Sequence, residues 1–336
     1  MTKWIEHREK IREIYGKHNR LIISSVKFIL ALFLFLIINN YVGYMEKLNH
    51  VYVAAALALI CAMLPMNLTI LFGAILSVVH LYALSTEVAV TALLIFLLMF
   101  FLYFRFSPKN GYEVVLMPIA FVCRVPYAVP VANGLIGEPS SMISVIFGTI
   151  IYYFLNGIHN NASLLKGVQA GEETDSKFVI SLNQILENKE MYLAIAAFCL
   201  AVVVVYNIRR MAVEYAWSIA IGAGILTEFI VLCIGYLVLG ISGRMLWLIT
   251  GSLLSLVIGF LIEFLCFNLD YSRTEKVQFE DDEYYYYVKA VPKVNLSSGE
   301  KQIKKISGKK NGKRTGERIT KKQLAEELDI NEDMLD

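Results

Sequence analysis

Charge is scarce in this chain. Asp, Glu, Lys and Arg make up 18% of its 336 residues, while 57% are hydrophobic. A soluble domain runs nearer ~25% charged, so a soluble globular fold is excluded as the main body. Catalytic signatures are also missing. There is no P-loop, no G-x-S-x-G, no H-E-x-x-H and no G-x-G-x-x-G. That argues against an integral ATPase, an esterase-type hydrolase, a zinc protease and a dinucleotide enzyme. The polar loops are short, which leaves little room for an enzyme domain. The chain is therefore expected not to be an enzyme, and no cofactor or metal is expected. The five cysteines (Cys61, Cys123, Cys199, Cys233, Cys266) lack any C-x-x-C spacing. Disulfide and metal frameworks are unsupported, and buried free thiols are the expectation. Strict polar/apolar alternation is absent from the apolar runs, which excludes a transmembrane barrel.

Long apolar runs dominate what remains, such as "FILALFLFLII" (28–38) and "ALLIFLLMFFLYF" (92–104). Crossing the hydrocarbon core takes ~20 apolar residues. The fold class expected is an all-α polytopic membrane protein. Spans are expected at about 21–43, 51–66, 68–84, 87–104, 142–156, 191–208, 211–240 and 245–268. That makes about eight transmembrane helices within a bundle over 21–268. A ninth apolar segment, 113–137, is read as broken or re-entrant. The polar stretch 157–190 is expected to be an external loop.

Both ends are basic. Residues 1–20 hold six Lys/Arg and residues 296–322 hold ten. The positive-inside rule puts both termini in the cytoplasm. Residues 1–20 read as an amphipathic segment on the membrane surface, with Trp4, Ile11, Ile14 and Tyr15 as its apolar stripe. Its long apolar continuation reads as a signal anchor rather than a cleaved leader. Nine crossings would put the two basic ends on opposite sides. Eight crossings, with 113–137 entering and leaving on one face, keep both inside, and Arg209 and Arg210 with them.

The segment "VLMPIAFVCRVPYAVPVANGLIGEPSS" (115–141) carries four of the seven prolines and Arg124. Pro126 and Pro130 each remove a helix hydrogen bond and clash with the preceding turn. Half-helices are expected near 114–123 and 128–136. Non-helical backbone at membrane depth needs protein cover or a water-filled cavity. A charge at a helix centre costs ~2.5–3.5 kcal/mol, so Arg124 needs a partner or water. Glu228, within "GILTEFIVL", is the candidate partner. The two form either a structural ion pair or a transport site. His80 is a further intramembrane polar residue, read first as packed and hydrogen-bonded and second as a proton relay. Gly251, Ser255 and Gly259 form a small-residue stripe that lets helices approach closely.

After Asp270 the chain turns polar. Residues 270–294 contain "FEDDEYYYYV", whose Phe279, Tyr284, Tyr285, Tyr286 and Tyr287 favour strand. A short hairpin is expected, docking another copy or a protein partner. Residues 295–319 read as a basic disordered linker drawn to anionic lipid. Nucleic-acid binding is not expected, since no recognition module accompanies it. Residues 320–336 read as a short amphipathic helix with a capping box at Thr320 and Gln323.

The run "DYSRTEKVQFEDDEYYYYVKAVPK" (270–293), with "RVPYAVPVANGLIG" and "NIRRMAVEYAWSIAI", resembles a family of multi-span membrane proteins from Gram-positive anaerobic bacteria. The resemblance covers most of residues 20–293. It implies a bacterial plasma membrane, and it carries no activity, catalytic residue or ligand. Two functions remain open from the residues. One is a transport or permeation component built around the broken segment, with Arg124 and Glu228. The alternative is a non-catalytic scaffold or assembly subunit that docks partners through its tail.

Overall fold

The computed structural model describes residues 2–167, 174–211, 213–266, 275–280 and 284–290, and every structural statement here concerns those residues. The protein is an all-α polytopic membrane protein. Seven described helices are long and apolar enough to cross a membrane. In order the helices are α1 (Thr2–Val42), α2 (Val51–Met63), α3 (Met66–Leu84), α4 (Thr86–Phe106), α5 (Gly111–Val122) and α6 (Ala128–Ile136). They continue with α7 (Met142–Asn160), α8 (Ala162–Gly167), α9 (Thr174–Leu186), α10 (Lys189–Arg209), α11 (Ala216–Leu239) and α12 (Met245–Cys266). Strands β1 (Glu275–Glu280) and β2 (Tyr285–Ala290) pair antiparallel, with Phe279 opposite Tyr286.

The basic lead-in and first span are one helix, bent where His18 leaves helical geometry (φ −120°). Ile11, Ile14 and Tyr15 stay exposed on it. The eighth expected span is α2, which has 13 residues. At 1.5 Å per residue it reaches about 20 Å, short of a ~30 Å hydrocarbon core. Pro65 cuts it off: the pre-proline Leu64 is extended (φ −97°, ψ 163°), as the ring requires. The stretch 157–190 is not an open loop. It contains the end of α7, then α8 and α9, and α9 packs on α4 and α7. The linker 295–319, the helix 320–336 and the acidic turn 281–283 lie outside the described residues.

Hydrogen bonds fix which helix ends lie together. At one end, Lys27 Nζ donates to the Leu64 carbonyl at 3.1 Å. Asn67 Nδ2 donates to the Pro108 carbonyl at 3.0 Å, and Tyr103 Oη donates to Asn67 Oδ1 at 2.7 Å. Ser107 Oγ and Ser144 Oγ bond at 3.0 Å. Arg209 donates to the carbonyls of Leu135 and Gly137, the second at 2.8 Å. This is the Lys27 end. At the opposite end, His159 Nδ1 lies 2.7 Å from the Tyr41 carbonyl. Tyr153 Oη donates to Glu190 at 3.2 Å, and Glu190 pairs with Arg244 at 2.9 Å. This is the Arg244 end.

One apolar core joins α1–α5 with α7. A second joins α5–α7 with α10–α12, and a third joins α6 with α10 and α11. Close helix approach is bought with glycine where the short helices meet their neighbours. A Cβ on Gly134 would lie 2.6 Å from Val205 Cβ. One on Gly251 would lie 2.7 Å from the Tyr127 ring and 2.8 Å from the Arg124 carbonyl oxygen. The stripe Gly251–Ser255–Gly259 is thus spent inside the bundle, where all three are buried.

Candidate functional site

The broken segment is the centre of the site. α5 ends in a Schellman motif. Val125 N–H donates to the Ala120 carbonyl at 2.8 Å, and Arg124 N–H to the Phe121 carbonyl at 3.1 Å. The motif needs a left-handed residue, a position that usually belongs to glycine. Here it is Arg124, with φ +62°. Pro126 then prevents continuation, as proline commonly does just after a C-cap. α11 closes with the same pair of bonds, from Gly240 to Leu237 and from Ile241 to Tyr236, and there the left-handed residue is glycine. One chain thus uses the motif twice, with glycine once and arginine once.

The segment returns to where it started. Ser107, just before α5, bonds Ser144, in the first turn of α7. α7 runs alongside α5: Gly148 packs on Val114 and Met117, and the Tyr152 ring stacks on Phe121 at 4.2 Å between centroids. Pro118 has no N–H, so it leaves the Val114 carbonyl without its helical donor. Gly148 fits beside that carbonyl, where a Cβ would sit 3.1 Å away. α6 runs alongside α10, from Tyr127 near Phe198 to Leu135 and Gly137 at Arg209.

Two cavities meet at the break. A cleft of about 850 Å³ lies between α5, α6 and α12. Ser107, Lys109, Asn110, Glu113, Glu138 and Ser140 rim it at the Lys27 end, and Cys123 and Val125 close its depth. A vestibule of about 470 Å³ opens at the Arg244 end, and Val122, Arg124, Pro126 and Tyr127 form its floor. Its walls are Tyr41, Tyr152, Tyr153, Tyr236, Arg244 and Trp247. Successive residues of one turn therefore face different cavities.

Arg124 and Glu228 are not paired. The Arg124 guanidinium carbon stands 3.4 Å above the Trp247 ring centroid. Glu228 is fully buried, and neither carboxyl oxygen has a hydrogen-bond partner. Ser218 donates to Glu263 at 2.7 Å and Gly259 abuts Ile221, which sets the antiparallel register of α11 and α12. That register brings Glu228 level with Ser252, whose hydroxyl is also buried without a partner. A polar group buried there without a partner is costly.

Pro126 and Pro130 are buried within the break and the first turn of α6. His80 lies elsewhere. It is fully buried, its Nε2 is 3.0 Å from Asn39 Oδ1, and its Nδ1 accepts the Met45 N–H at 3.3 Å. Both ring nitrogens are thus engaged far from the break. Tyr284, Tyr285 and Tyr286 are exposed on the hairpin. Cys123 and Cys266 are exposed rather than buried, Cys123 because it lines the cleft. Among the described residues no cluster of His, Cys, Asp or Glu is placed to hold a metal ion.

The sequence reading missed Glu190, Arg244, Trp247 and the tyrosine wall. Burial opposes the Arg244 charge, yet Glu190 and the tyrosines beside it overcome that and push its pKa up. A usable signal was the arginine in the short link between the last two spans, on the side expected to be poor in basic residues. No protein-family model matches the chain, and no curated protein or solved structure is significantly similar to it.

Proposed function

We propose that this protein is a transport or permeation component of a bacterial plasma membrane, with the α5–α6 hairpin as the partition between two half-channels. The observation that carries the reading is the division at the tip: Cys123 and Val125 line the cleft, while Val122, Arg124 and Pro126 line the vestibule. Discontinuous helices at membrane depth are the usual means of building such a site. The hairpin is re-entrant in this reading. The Ser107–Ser144 bond supports it, since the chain leaves and rejoins the bundle at one level. The Lys27 end also carries Arg105, Lys109, Arg209 and Arg210. That end is cytoplasmic by the positive-inside rule, and eight crossings, with α2 as a short one, put both termini there.

Side-specific thiol labelling tests this on a background without the other four cysteines. The native Cys123 should react with an impermeant maleimide from the cytoplasmic side alone. In a second variant, Cys123→Ser with Val122→Cys, the new thiol should react from the outside alone. Labelling of both from one side, or of neither, removes the partition. In that case the scaffold reading takes its place, and deletion of 275–336 should release bound partners.

A further inference from the structure

We infer that the vestibule at the Arg244 end is a binding site for a singly charged phosphate ester, with Arg124 as its principal ligand. Charge argues first. Two guanidiniums and one carboxylate line or edge the vestibule. Arg244 is already paired with Glu190 at 2.9 Å, and Glu190 also accepts from Tyr153. Arg124 has no acidic partner among the described residues. One positive charge is left over, in a recess walled by aromatic rings. A monoanion completes it.

Geometry argues second. Trp247 covers one face of the Arg124 guanidinium at 3.4 Å. A stacked guanidinium keeps its N–H edge free and its fork fixed, which is the arrangement that takes two oxygens of a phosphate or carboxylate at once. The tyrosine rings that line the walls suit the organic part of the ester. About 470 Å³ is the size of a headgroup-scale pocket.

Backbone argues third. Arg124 occupies a left-handed position that Gly240 fills in the matching motif of α11. A strained residue kept where glycine would be easier points to a role for its side chain. The rim is open: Val122 and Trp247 are 37% and 48% exposed. The ester can therefore come from a lipid headgroup or from a water-soluble molecule.

The inference rests on the transport reading only for the use made of the bound anion. Its test is an equilibrium titration without flux, so the two can fail separately. The full chain, carrying Trp4→Phe and Trp217→Phe, is placed in phosphatidylcholine nanodiscs so that Trp247 alone reports. One arm raises the phosphatidylglycerol fraction; the other adds glycerophosphoglycerol, its deacylated headgroup, in solution. A saturable change in Trp247 emission is expected in at least one arm. A response to lipid alone identifies a lipid headgroup, and a response to the soluble diester identifies a free ester. Arg124→Gly, which suits the backbone position, should weaken binding at least about tenfold, the loss expected for one charge-assisted fork. Arg124→Lys keeps the charge without the fork and should fall between. If Arg124→Gly does not fold, Arg124→Lys decides. No response in either arm, or folded variants that bind as tightly as the parent, would overturn the inference.

Discussion

Replacing Arg124 by glycine and by alanine separates the backbone strain at the hairpin tip from the side chain's contacts. Both substitutions remove the stacking on Trp247, a cation–π contact worth about 0.5–2 kcal/mol. They differ in the left-handed residue itself. An L-residue there costs about 1–2 kcal/mol. Glycine avoids that cost, but its extra freedom in the unfolded chain takes back about 0.5–1 kcal/mol. Arg124→Gly should therefore be more stable than Arg124→Ala by about 0.5–1 kcal/mol. In a bundle of this size that is a Tm difference of about 1–4 °C. The assay is thermal unfolding in nanodiscs, followed by circular dichroism at one fixed scan rate, because unfolding of such proteins is often irreversible. Gly240→Ala serves as the control. It places alanine in the same motif at the end of α11, and should lower Tm by a similar amount. If Arg124→Ala matches or exceeds Arg124→Gly, the strained-cap account of the break is wrong.

Three other outcomes follow from the packing. Gly251→Ala should destabilise by about 1–3 kcal/mol, because its Cβ would press on Tyr127 and on the Arg124 carbonyl; Gly222→Ala, with open space around it, should be neutral or slightly stabilising in the same melt. Glu228→Leu should raise Tm, since it removes a buried polar group with no partner, an unpaired state that costs about 1–3 kcal/mol; a fall in Tm would mean that Glu228 is hydrogen-bonded. Asn39→Ala should cost about 1–3 kcal/mol by stranding His80 Nε2, and should leave Cys123 labelling unchanged.

Much of the fold was legible because membrane physics writes it in long strings. The apolar runs gave the long helices, and their boundaries moved by only a few residues except at α1, which begins at Thr2. Pro126 and Pro130 marked the interruption; Pro126 stops the continuation of α5, while Pro130 sits in the first turn of α6, where a missing N–H costs little. What the string did not carry was which residue would turn left-handed, because arginine at that position follows no propensity. The Arg124–Glu228 pair was a reasonable expectation from two charges in two spans, but nothing in sequence spacing fixes the face on which each lies. The vestibule was less legible still. Its residues run from Tyr41 to Trp247 and meet only after several helices have packed.

The two intramembrane charges are resolved in opposite ways, and that bears on function. Arg124 lies on Trp247 beside an open vestibule, whereas Glu228 sits in a closed interface without a hydrogen-bond partner. Had they paired, each would have explained the other as a lock between the break and α11. Unpaired, each needs its own reason. The hairpin tip is held instead by α12, through the close approach of Gly251 to the Arg124 backbone and the stacking of Trp247 on its side chain. Both contacts lie within the first two turns of α12. The tip is thus anchored to α12, and its successive residues line both cavities. Glu228 lies level with Ser252, beside that same stretch of α12, and both are buried without a hydrogen-bond partner. On the transport reading proposed above, α12 is the element that fixes the partition in place.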